Sequence, residues 1–165
     1  MLRSLILIAA LAAGTAHAGT AQVRFIDPDR YADADRSAFG LAERQRTLEA
    51  IERQFQALAA RHLGAEQTLA VEVLDIDLAG ELRMARGGHE TRVLKGGADI
   101  PRIEFRYRLQ RGDTLLASGQ ERLTDLDYLR PTAYPAQRNQ PLAHEQRLLA
   151  RWFVERFDKS APQRQ

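Results

Sequence analysis

Residues 69–80, LAVEVLDIDLAG, carry Val71, Val73, Leu74, Ile76 and Leu78, all side chains suited to a core. A run this apolar and this short reads as a β-strand inside a sheet, covered by helix on at least one face. Its phase changes part-way. Val71 and Val73 alternate with Glu72, whereas Leu74, Ile76 and Leu78 alternate in the opposite register. A bulge near residues 73–75 reconciles the two halves. Asp75 and Asp77 are two apart and so share one face of the strand. Gly80 ends the strand or bends it.

Working outward, Leu41 to Leu63 precedes this strand as a helix. Leu41, Leu48, Ile51, Phe55, Leu58 and His62 recur at helical spacing, with Glu and Arg on the other face. Gly64 just beyond is a C-cap signal. The stripe lasts about three heptads and strands flank it, which favours a helix laid on a sheet over a coiled coil. Upstream, Gln22 to Ile26 is a short strand ended by Asp27-Pro28-Asp29, and Tyr31 to Gly40 is an acidic loop holding Asp33 and Asp35.

Downstream, Arg83 to Pro101 contains the pairs Gly87-Gly88 and Gly96-Gly97. It is too long for a structureless loop, so Thr91 to Lys95 is expected as a short edge strand. Arg102 to Gln110 alternates cleanly. Ile103, Phe105, Tyr107 and Leu109 face inward; Arg102, Glu104, Arg106, Arg108 and Gln110 face outward. Arg111-Gly112-Asp113 turns the chain into a returning strand, Leu115 to Thr124. Gly119 within it signals a bulge or a close backbone approach. Asp125 to Pro141 is a proline-broken loop. Leu142 to Asp158 is a second helix, buried through Leu148, Leu149, Trp152, Phe153 and Phe157, with the single tryptophan as a core anchor.

The expected fold is α+β, in two layers: a mostly antiparallel sheet of four or five strands with two helices on one face, in the order β-α-β-(β)-β-β-α. Residues 1–18 read as a cleavable signal peptide. Arg3 is the positive region, Leu5 to Ala13 an apolar run of nine, and Ala16-His17-Ala18 the small-x-small cleavage signal. Cleavage after Ala18 leaves one domain over 19–159 and a disordered tail over 160–165, with no membrane span. The expected location is the periplasm. No cysteine is present, so neither a disulfide nor a lipobox is available, and stability rests on one core. The formal charge is +2. Acid and base alternate along nearly every element, which argues against nucleic-acid binding.

Several blocks together carry a resemblance. They are VRFIDPDRY (23–31), LAVEVLDIDLAGEL (69–82), RVL (92–94), PRIEFRYRL (101–109), SGQERLTDLDYL (118–129) and HEQRLLARWFVERF (144–157). With these the chain resembles a family of uncharacterised exported proteobacterial proteins, grouped only as a domain of unknown function. It departs from the family pattern at Ile100, where that pattern has tryptophan, and at His144, where it has tyrosine. The resemblance implies export and one compact domain, and no activity.

Four carboxylates form two D-x-D pairs near strand ends, Asp75 with Asp77 and Asp125 with Asp127. Convergent carboxylates hold hard cations or divide acid and base roles, so Asp75, Asp77 and Asp127 are candidates for a divalent-metal or hydrolytic site. The competing reading is that each caps a turn or pairs with one of 22 arginines. His89-Glu90 and His144-Glu145 begin like HExxH, but Val93 and Leu148 occupy the second histidine position, against zinc catalysis. Ser37, Ser118 and Ser160 lie outside any G-x-S-x-G elbow, and no glycine-rich stretch has cofactor-binding spacing. Arg102, Arg106 and Arg108 line an exposed strand face suited to an anionic ligand or acidic partner; the competing reading is a solvated face laced with Glu104 and its neighbours. The expectation is a non-enzymatic binding or envelope accessory protein without a cofactor, acting on a periplasmic protein or a small polar ligand. Its alternative is the carboxylate-centred metal binder or hydrolase.

Overall fold

The computed structural model describes residues 18–33, 40–85, 88, 90–97, 99–130 and 142–157. The expected signal peptide up to His17, part of the acidic loop, His89, most of the proline-rich loop and the expected tail lie outside them. The elements are β1 (Thr20–Phe25), a 3-10 turn (Pro28–Arg30), α1 (Gly40–His62), β2 (Gln67–Asp77), β3 (Glu81–Met84), β4 (Glu90–Val93), β5 (Arg102–Arg111), β6 (Thr114–Thr124) and α2 (Ala143–Phe157). The fold is α+β, as its alternation of patterns requires.

The main sheet has the order β1-β2-β5-β6. β2 lies inside it, as its apolar content demands. β2 and β5 pair antiparallel, as do β5 and β6, while β1 runs parallel to β2. A parallel neighbour needs a crossover, and α1 supplies it. The phase change in β2 is a bulge. Val73 pairs with Phe105 and Asp75 with Glu104, which leaves Leu74 as the extra residue. The bulge keeps Leu69, Val71, Val73, Ile76 and Leu78 all on the buried face. It also turns Glu72, Asp75 and Asp77 to the other one.

Both helices cover that buried face. Phe55 of α1 and Trp152 of α2 meet Phe105 edge-on, with ring centroids 5.4 and 4.9 Å away. Trp152 also contacts Tyr107, Phe153 and Phe157, so it anchors the core as expected. α1 starts its buried stripe late. Leu41 is 74% exposed, while Ile51, Phe55 and Leu58 are buried. At 23 residues the helix is roughly 35 Å long, more than a four-stranded sheet spans, so its first turn overhangs.

Two local expectations are refined. The short strand at 91–95 is β4, and its partner is β3, so the two form a separate hairpin instead of an edge of the main sheet. Gly119 marks a close approach: a Cβ there would sit 3.1 Å from the Tyr107 ring. The bulge of β6 lies nearby, between the Leu109–Ala117 and Gln110–Leu115 pairs.

Candidate functional site

Two polar regions flank β2. The first is the outer face of the main sheet, opposite the helices. Register places its side chains in rows across the strands. Gln22, Ala70, Arg108 and Ser118 form one row; Arg24, Glu72, Arg106 and Gln120 form the next. Arg106 Nη2 lies 3.0 Å from Glu72, and Arg24 pairs with the other oxygen of the same carboxylate. Arg24 and then Arg106 hold the Glu72 carboxyl below its usual range. Arg102 Nη2 bridges Asp75 at 3.0 Å and Asp77 at 3.3 Å. Gln120 donates to Glu104 at 2.9 Å. Among the described residues Arg108 has no acidic partner. Arg24, Arg106, Arg108, Ser118, Gln120 and Arg122 are exposed.

The second region is a buried knot at the C-terminal end of β2. There the strand has left the sheet ladder, and side chains must satisfy its backbone. Asp33 accepts the Leu78 N–H at 2.7 Å and Glu145 of α2 accepts the Ala79 N–H at 2.7 Å. Arg92 of β4 donates to the carbonyls of Ala79 and Gly80 at 3.3 and 3.1 Å and faces Asp33 at 3.5 Å. Gly80 turns the chain at φ 79°, where a Cβ would lie 2.6 Å from the Val93 carbonyl. Glu145 is 2% exposed. Burial pushes its carboxyl up, and Asp33 adds to this, against the Ala79 N–H and Arg92.

Beside the knot, Arg147 of α2 pairs with Asp125 at 2.7 Å and donates to the Tyr128 carbonyl at 3.0 Å. Asp125 also accepts the Asp127 N–H at 3.1 Å, closing a turn. The buried Tyr128 hydroxyl accepts the Gly96 N–H at 3.0 Å, and its ring meets His144 edge-on. Burial and the Arg147 charge hold His144 below the usual imidazole range. On the far side of the β2 bulge, the Tyr31 hydroxyl donates to the Val73 carbonyl at 2.8 Å, and burial raises its pKa to about 12.

The candidate aspartates divide between these regions. Asp75 and Asp77 share Arg102 on the outer face, and Asp75 also accepts the Ala32 N–H at 2.9 Å. Asp125 pairs with Arg147 beside the knot, and the exposed Asp127 faces Arg130 at 3.7 Å. Among the described residues no group of three or more His, Cys, Asp or Glu is arranged to hold a metal ion. Arg102, Arg106 and Arg108 lie together on the outer face. Glu145, Asp33 and Arg92 were not candidates. Glu145 was legible, because 145, 148, 149 and 152 share one helical face and put a carboxylate into an apolar stripe. Asp33 and Arg92 act through long-range contacts that have no local signature.

The residues that make these regions span a matched segment. A family model described as "Protein of unknown function (DUF3016)" matches residues 19–155. The chain belongs to the DUF3016 family. No curated protein and no solved structure matches it. The DUF3016 segment therefore includes β1 through most of α2, with both the outer face and the knot. Among the described residues no helix is long and apolar enough to cross a membrane.

Proposed function

We propose that this DUF3016 protein is an exported, non-enzymatic binding or envelope accessory protein whose contact surface is the outer face of the main sheet. The observation that carries this reading is that, among the described residues, both helices pack on the opposite side of the sheet and none covers this face, which is a polar lattice with Arg106 held by Glu72 and Arg108 without an acid among those residues. Such a lattice suits a polar, negatively charged ligand or partner. The leader-like residues 1–18 support export to the periplasm, with processing after Ala18. The carboxylates support binding over catalysis: Asp75 and Asp77 share an arginine, and Asp125 and Asp127 each face one of their own, which suits a structural task.

The test has two parts. Fractionation of cells expressing the tagged chain, with N-terminal sequencing of the product, checks export; a periplasmic product beginning at Gly19 is expected, and a cytoplasmic full-length chain contradicts it. In-cell crosslinking then compares the native chain with an Arg106→Gln/Arg108→Gln variant. A crosslinked product lost in the variant supports the face as the contact surface. A product of undiminished yield contradicts it.

A further inference from the structure

Charge is segregated on the outer face. On the half nearest the N-terminal end of β2, three arginines, Arg24, Arg106 and Arg108, meet a single acid, Glu72, among the described residues. On the other half, Asp75, Asp77 and Glu104 outnumber Arg102 and Arg122. In the cationic half lies an open depression of about 390 Å³, lined by Ala70, Glu72, Arg106, Arg108, Ser118 and the Tyr107–Gly119 pair.

The depression exists because the row through it carries small side chains. Ala70 sits between Gln22 and Arg108, and Ser118 stands directly opposite Arg108 in the β5–β6 ladder. Opposed side chains in such a ladder are about 5 Å apart at Cβ, so Arg108 and Ser118 stand side by side in the lining of the depression. Glu72 is not a competitor for that position. Its oxygens are engaged, one by Arg24 and one by Arg106, and the two arginines on one carboxylate leave the trio with a net positive charge. A guanidinium has five N–H donors, so Arg106 keeps donors for a second acceptor while Glu72 fixes its orientation.

Resting on the reading of this face as the binding surface, we infer that the depression over Ala70 is an oxyanion subsite for a small polar ligand bearing a carboxylate or phosphate. Arg108 and Ser118 hold the oxyanion, and Arg106, positioned by Glu72, supplies the second cation. The volume fits a metabolite-sized molecule. The acidic half beyond Glu104 repels a second negative group, so the ligand's remaining surface is neutral or cationic.

Amide shifts in two-dimensional NMR spectra of the purified protein test this, during titration with inorganic phosphate and with acetate against chloride at matched ionic strength. Saturable shifts are expected at Ala70, Arg108 and Ser118, and whichever anion binds more tightly names the headgroup. Arg108→Gln should weaken binding roughly tenfold, the effect of losing one charge-assisted hydrogen bond. Arg122→Gln, which removes the same charge elsewhere on the face, should change it less than about twofold. Equal losses in the two variants overturn the subsite, since charge alone then suffices. Saturable shifts elsewhere on the sheet face overturn the subsite and leave the face as the binding surface. Shifts confined to the helices overturn both.

Discussion

Just past the C-terminal end of β2, Glu145, Asp33 and Arg92 direct their polar groups onto the backbone of residues 78–80. A few residues earlier on the same strand, Glu72 meets Arg24 and Arg106 on the open outer face. The segment is continuous; the chemistry within the strand and just past it differs because the environments differ. In the knot, desolvation makes every unpaired polar group costly, so each partner is structural. On the face, water screens the same kinds of charges, and surface pairs contribute little to stability. Charge that does little for folding is charge available for recognition. The knot should therefore answer to stability measurements and the face to binding measurements.

The sharpest test of the knot is Gly80→Ala. It combines a left-handed φ with a Cβ at 2.6 Å from the Val93 carbonyl, and should cost about 3 kcal/mol, roughly 10 °C in thermal midpoint. Next comes Arg147→Met. It strands the buried Asp125 carboxylate and should cost about 2 kcal/mol, read by urea denaturation with an unchanged slope.

Glu145→Gln should act through pH. The folded carboxyl binds its proton more tightly than the unfolded one, so native stability falls as pH rises from the unfolded pKa through the raised folded value. The glutamine keeps an acceptor for the Ala79 N–H and abolishes that fall. Near pH 4 the variant should match the native protein, and above neutrality it should be the more stable of the two. A variant that matches the native protein near pH 4 but is the less stable of the two above neutrality would show that Glu145 works as a charge. The smallest effect belongs to the face. Arg108→Gln should move the thermal midpoint by less than about 2 °C. A larger drop would place Arg108 among the structural groups and blur the contrast.

How much of this was legible in the chain depended on range. The bulge in β2 was readable because side-chain period is local: Val71 and Val73 fall out of phase with Leu74, Ile76 and Leu78. β5 was readable for the same reason. β3 was hidden, because the four residues of Glu81–Met84 are too few to establish a period, and Met84 is 64% exposed. The parallel pairing of β1 with β2 depends on where α1 carries the chain, which no window of sequence reports. The outer-face arginines were legible as alternating positions. Their division into Arg102 and Arg106, which are paired, and Arg108, which has no acidic partner among the described residues, was not, because it follows from the register of three other strands.

The central claim is that the sheet face, and not the helical side, is where this protein makes its contacts. A photoreactive residue placed at Ser118, in the row of Arg108, and another placed at Arg53, on the exposed side of α1, would test it in living cells. The prediction is an adduct at Ser118, detected by gel shift or intact mass, that disappears with Arg106→Gln/Arg108→Gln, and none at Arg53. Adducts at Arg53 with a silent Ser118 would contradict the claim and move the binding surface to the helices.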